Sequence, residues 1–136
     1  MIVIHTDLKK KQEAIRAKCF HPSGKFREFR REEVEQSIPS RFEKIVLQYP
    51  AQIAIKTQKE ALTYTQLDAR ANGVARAILD TIGETSQPVV ILPDDPVEAI
   101  VGALGALKAG KFYVPLEPAL PAARMRSVLE DLNSKL

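Results

Sequence analysis

Three stretches of this chain carry residue types that could do chemistry. Gly105-Ala106-Leu107-Lys108-Ala109-Gly110-Lys111 satisfies G-x-x-x-x-G-K, the spacing by which a glycine-rich loop cradles phosphates with its amides while the lysine meets their charge. Asp94-Asp95 is a carboxylate pair of the kind used for acid/base work or metal binding. Cys19 and His21, with His5 upstream, are metal-ligand types. Which reading holds depends on the elements that place them. A phosphate loop follows a strand, opens a helix and ends in Ser or Thr, whereas here Phe112 takes that position and the segment ends a helix before a strand. Its free amides would point the wrong way, so Gly110 reads as a helix C-cap. Asp94-Asp95 precedes a helix, where a carboxylate satisfies the first free amides. One cysteine and two histidines are too few for a closed zinc site. No G-x-S-x-G and no grouping of Ser, His and Asp supports nucleophilic hydrolysis. The expectation is that this chain carries no catalytic, cofactor-binding or metal residue.

The elements behind these readings follow from periodicity and punctuation. Pro88-Val89-Val90-Ile91-Leu92-Pro93 is an unbroken apolar run suited to a parallel strand buried on both faces. Asp95 caps the helix that follows, Pro96 fits its first position, and Glu98 makes a D-x-x-E capping box. From Val97 to Ala109 only Glu98 and Lys108 are charged, so this helix needs partners on several sides. Lys108 sits in its last turn, where a cation offsets the negative helix end. Phe112-Tyr113-Val114 reads as the second strand, closed by Pro115. Gly102 and Gly105 read as points of close packing.

Upstream, Ser37 caps a helix with Ile38, Phe42, Ile45, Val46 and Tyr49 on one face, stopped by Pro50. Ile53-Ala54-Ile55 and Ala61-Leu62-Thr63-Tyr64 read as a hairpin around Thr57-Gln58-Lys59-Glu60. Thr63 and Gln66 form a T-x-x-Q capping box for a helix with Leu67, Ala71, Val74, Ala75, Ile78, Leu79 and Ile82 on one face, ended by Gly83. After Pro118 and Pro121 a last helix turns Met125, Val128, Leu129 and Leu132 inward. Strands alternating with helices imply an α/β fold, a partial three-layer unit with a parallel sheet and right-handed crossovers. Residues 1–36 read as a basic leader or linker, with Ile2-Val3-Ile4 either a short strand or nothing, a helical Lys-rich run through Ala17 and a turn at His21-Pro22-Ser23-Gly24. Residues 37–136 form the folded domain.

Composition narrows the class. A chain of 136 residues that is 45% hydrophobic and 27% charged is an ordinary globular length and mixture, and such a chain can bury roughly 70% of its unfolded surface. No apolar run is long enough to span a bilayer. The single Cys19 excludes an internal disulfide, and MIVIHTDLKKK lacks the order of a secretory signal, so a cytoplasmic setting is expected. The net charge of +3 gathers at Lys9-Lys10-Lys11 and between Lys25 and Arg31, but Glu28, Glu32, Glu33 and Glu35 neutralise the second cluster. A solvated face is the reading there, and neither nucleic acid nor membrane is an expected partner.

From Ser40 onward the chain resembles the start of an adenylation domain of the AMP-forming ligase superfamily, of the nonribosomal peptide synthetase, acyl-CoA synthetase and luciferase type. LTYTQLDARANGVARAIL, Leu62 to Leu79, is similar to the family's first core motif, with Ala71-Asn72 as its A-N pair. LKAGKFYVPLEPALPAARM, Leu107 to Met125, is similar to the second, matched at Lys108, Ala109, Gly110, Tyr113, Val114, Pro115, Pro118, Pro121 and Arg124. Phe112, Glu117 and Asp94-Asp95-Pro96 depart from the peptide-synthetase pattern. The resemblance implies activation of a carboxylic acid, foremost an amino acid, as acyl-adenylate with ATP and Mg, followed by transfer to the pantetheine thiol of a carrier protein. It also implies that the phosphate loop, ribose-binding carboxylate, substrate pocket and catalytic lysine lie beyond the second motif. The expected partner is therefore the remainder of an adenylation domain or modular synthetase. The terminal Ser134-Lys135-Leu136 matches a peroxisomal address and also fits the entry to the family's next strand. An independent noncatalytic interaction module is the competing class, and a small nucleotide-binding α/β protein a third.

Overall fold

The computed structural model describes residues 10–15 and 30–133. The expectations at Ile2-Val3-Ile4, Cys19, His21 to Gly24 and the terminal Ser134-Lys135-Leu136 lie outside the described residues. The chain divides into two compact units, Met1–Val34 and Glu35–Leu136. In the first, residues 10–15 are helical and Arg31–Glu33 forms a short 3₁₀ turn whose Glu33 carboxylate accepts from the Arg30 amide at 2.9 Å.

In the second unit, helix α1 (Ile38–Gln48) begins where the Ser37 hydroxyl accepts from the Ser40 amide. Strands β1 (Ile53–Lys56) and β2 (Ala61–Thr63) pair antiparallel, with a register break between Ile53 and Ile55. No Asn-Gly turn is needed because the Thr57 hydroxyl accepts from the amides of Lys59 and Glu60, so one side chain organises the bend. Helix α2 (Tyr64–Ile82) carries the reciprocal Thr63–Gln66 box in full, each side chain accepting from the other's amide. The expected strand over residues 61–64 thus gives up Tyr64 to the helix. At the far end Gly83 has φ +62°, which an L side chain resists.

Strand β3 (Val89–Ile91), helix α3 (Pro96–Lys108) and strand β4 (Tyr113–Pro115) form the parallel unit, with Val90 opposite Val114. Asp95 does the capping of α3, its Oδ1 accepting from the amides of Val97 at 2.7 Å and Glu98 at 3.0 Å. The other end is a complete Schellman turn. The Lys111 amide donates to the Ala106 carbonyl and the Gly110 amide to that of Leu107, with Gly110 at φ +71°. Helix α4 (Ala122–Asn133) follows, with Met125, Val128 and Leu132 half-buried and Leu129 exposed, where the periodicity placed all four inward.

The core lies where α2, α3 and the hairpin meet. Leu62, Leu67, Val97 and Val101 are buried, with Phe42, Ala54, Ile55, Val74 and Leu104 packed against them. Glycine sets the spacing of α2 and α3. A Cβ on Gly105 would stand 2.5 Å from Val74 Cγ1 and 3.1 Å from the Ala71 carbonyl oxygen, so only glycine lets these backbones approach so closely. Gly102 faces Ile91 of β3 instead. The apolar helix α3 therefore has the two neighbours it needs on these sides, while Ile100 stays 41% exposed.

Candidate functional site

The G-x-x-x-x-G-K stretch is a helix end, and its lysines are committed elsewhere. Lys108 leaves the last turn of α3 and reaches into the angle between α1 and α2. Its side chain is only 6% exposed, with Nζ 2.6 Å from Glu43 Oε1 and 3.0 Å from Asp68 Oδ1, and 6.0 Å above the centre of the Phe42 ring. Burial pulls the ammonium's pKa down, but the hydrogen bonds and charges of Glu43 and Asp68 outweigh it and hold the pKa above the ordinary lysine value. Asp68 Oδ1 is buried, and the Lys108 ammonium is its ion-pair partner, while Oδ2 accepts from the Asn72 amide at 2.9 Å. Asp68 and Asn72 belong to the first motif and Lys108 to the second, so one cation joins the two. Sequence placed this lysine against the helix dipole alone. The missed signal was the one cation near the end of a helix with no polar face, opposite an Asp-x-x-x-Asn pair beside an apolar stripe.

Lys111 was also missed. It is 6% exposed and its ammonium donates to the Thr85 carbonyl, tying the loop before β4 to the loop after α2. Arg70 grips Glu60 with two bonds, at 3.1 and 2.8 Å, and so pins α2 to the hairpin.

The cleft that the α/β architecture singles out lies at the carboxyl ends of β3 and β4, where such sheets hold ligands. It encloses about 430 Å³ between Pro93 to Pro96 on one side and Pro115 to Pro118 on the other. Its charged groups are Asp94, Asp95 and Glu117. Asp95 is spent on the helix cap, and its amide donors keep its carboxyl below the ordinary range. A second cavity of about 440 Å³ lies between α2 and α3, with Arg70, Gly73, Val97, Glu98 and Gly102 among its lining residues. Neither fits a triphosphate: the first presents carboxylates to it, the second is mainly apolar, and the glycines of positive φ close helix C-termini, where carbonyls rather than amides are free. Among the described residues no group of three or more His, Cys, Asp or Glu could hold a metal ion. No helix among them is long and apolar enough to cross a membrane.

A capped helix, a hairpin and a parallel strand-helix-strand unit, bound together by the Lys108–Asp68 ion pair, define an α/β protein. The chain belongs to the family of AMP-binding enzymes, whose model matches residues 42–136. It is similar to gramicidin S synthase 2 of Brevibacillus brevis, 40% identical over 101 residues, and to bacitracin synthase 3 of Bacillus licheniformis, 38% identical over 102 residues. These alignments take in 74% and 75% of this chain but only 2% of either of those proteins. Among solved structures, the N-terminal subdomain of Klebsiella oxytoca NpsA matches 72% of this chain and 26% of its own length, with TM-score 0.66 and 20% identity. An artificially fused adenylation-PCP di-domain from the same organism gives TM-score 0.67 at 20% identity, over 72% of this chain and 19% of that one. At that identity the likeness speaks for the fold, which is that of an N-terminal part of an adenylation domain.

Proposed function

We propose that this chain supplies the N-terminal part of an adenylation domain that activates a carboxylic acid, foremost an amino acid, as acyl-adenylate for transfer to a pantetheine thiol in the cytosol. The observation that carries the reading is the ion pair of Lys108 with Asp68, itself held by Asn72, which joins two stretches that both lie within the residues matched by the AMP-binding family. In this reading residues 62–79 and 107–125 build a frame, and ATP and Mg are held by parts of the domain outside this chain. The acidic cleft is the wrong sign for phosphate, which supports a chain that does no chemistry alone. Its partners are the remainder of the domain and, through that, a modular synthetase with a carrier protein.

Amino-acid-dependent exchange of radiolabelled pyrophosphate into ATP tests this. It is measured for the chain alone and for the chain continued in frame with the remainder of the adenylation domain of gramicidin S synthase 2. Exchange by the fusion and none by the chain is the expected result. Turnover by the chain alone refutes the reading, and so does a correctly folded fusion that activates no carboxylic acid.

A further inference from the structure

Asn72 stands directly before Gly73, and the fold gives that glycine no packing task. Gly105 and Gly102 let α3 approach α2 and β3, while Gly83 and Gly110 take positive φ at helix ends. Gly73 does neither. It lies in the middle of α2, it is exposed, and a Cβ there would meet nothing within 4 Å. A glycine inside a helix costs conformational entropy, so α2 is loosened next to Asn72.

An Asn-Gly pair is also where a side-chain amide is most open to attack by the nitrogen of the following residue. With no Cβ on Gly73, nothing crowds the approach to Asn72 Cγ. The new C–N bond closes a five-membered succinimide, and the side-chain nitrogen leaves as ammonia with the proton given up by Gly73. Water then adds to one of the two ring carbonyls. Opening at one restores the main chain with aspartate at position 72. Opening at the other carries the main chain through the side chain as isoaspartate.

Three contacts hold this reaction off while α2 is closed. Helix geometry directs the Gly73 N–H to the Ala69 carbonyl, away from the Asn72 side chain. The Asn72 side-chain amide donates to Asp68 Oδ2 at 2.9 Å, and Asp68 is itself held by Lys108 at 3.0 Å. The Asn72 main-chain carbonyl accepts from Arg76 Nε at 3.4 Å. The same neighbours decide what conversion does. Aspartate at 72 loses the donor to Asp68 and sets a like charge four residues from it. Isoaspartate adds a main-chain carbon to α2 between Ala71 and Val74, the residues against which Gly105 packs.

We infer that Asn72 is a site of spontaneous covalent modification, converted to aspartate and isoaspartate through attack by Gly73. Closed α2 and the Lys108–Asp68–Asn72 chain of contacts guard it, and conversion dismantles the joint between α2 and α3. This inference is independent of the function proposed above.

The full chain is kept in warm, mildly alkaline buffer with and without urea. Mass spectrometry then follows the Asn72 peptide, with fragmentation that separates aspartate from isoaspartate. Conversion is expected in urea, and the folded chain should be at least about 10-fold slower because α2 must open first. Gly73→Ala should lose most of the conversion in urea, where stability plays no part. Lys108→Met removes the guard and should raise the folded rate roughly 5–30-fold, in step with its loss of stability. Glu43→Gln, which touches Lys108 from the exposed side, should leave that rate as it is. Converted chain, separated by charge, should melt below unconverted chain. No conversion at Asn72 in urea overturns the inference, as do equal rates with and without urea. It is equally overturned by a folded rate that Lys108→Met does not move, or by converted chain of unchanged melting temperature.

Discussion

Lys108→Met tests whether one buried cation holds the two motifs together. Methionine keeps the length and apolar stem of the side chain but leaves Glu43 and Asp68 without their counter-charge. Removing one member of a fully buried pair costs about 3–5 kcal/mol. Glu43 is 56% exposed and recovers solvation, while Asp68 at 23% cannot, so we expect a loss of about 2 kcal/mol. For a unit of this size that is a drop of roughly 10 °C in melting temperature, read by circular dichroism. The cost should come from the orphaned Asp68. Lys108→Met in an Asp68→Asn background should therefore cost less than in the wild type, with a coupling of about 1–2 kcal/mol, and Glu43→Gln should cost under about 0.5 kcal/mol. The pH profile gives an independent check. The folded state raises the Lys108 pKa, so its contribution is complete below lysine's ordinary value of about 10.4 and fades as pH climbs through the higher folded-state value. Lys108→Met should remove that alkaline component. A shift below about 2 °C, or strict additivity with Asp68→Asn, would refute the reasoning.

Other substitutions follow from the same geometry. Gly105→Ala forces a Cβ into Val74 and toward the Ala71 carbonyl, and should cost about 1–3 kcal/mol in urea unfolding. Gly102→Ala meets only the movable Ile91 side chain at 3.2 Å and gains about 1 kcal/mol of helix propensity, so it should be near neutral. Asp95→Ala removes the cap of α3 and should lower the melting temperature by a few degrees. Because the folded state lowers the Asp95 pKa, the cap is fully effective above the ordinary value of about 3.9 and is lost as pH falls below it. The wild type should therefore lose an acid-sensitive component that the variant lacks. Gly110→Ala, at φ +71° in open space, should cost about 1–2 kcal/mol through backbone strain alone, measured in the same urea series.

Local rules carried far along this chain because most of its elements are punctuated by their own residues. Ser37, Thr63 with Gln66, and Asp95 with Pro96 announce three helix starts, and Gly83 and Gly110 two ends, each through a contact within four or five residues in sequence. Short-range chemistry of that kind survives in any tertiary setting. The Glu98 half of the expected box does not form: the Asp95 carboxylate accepts from the amides of Val97 and Glu98, but the Glu98 side chain does not return a bond to the Asp95 amide. Illegible were the contacts that join residues far apart: Lys108 to Glu43, 65 positions away, and Lys111 to Thr85, 26 away. No periodicity encodes these.

That division explains why a stretch with a phosphate-loop spacing does structural work. A lysine at the end of an apolar helix must either reach solvent or find acids, and Gly105 draws α3 so close to α2 that Asp68 comes within reach. Once Lys108 is neutralised there, Gly110 reverses the chain and Lys111 is carried inward to the Thr85 carbonyl. Neither ammonium remains to meet a phosphate. The glycines of the match are thus causes of the lysines' burial rather than parts of a cradle. Gly105→Ala should accordingly weaken the Lys108–Asp68 coupling as well as the packing, a link that independent contacts would not show.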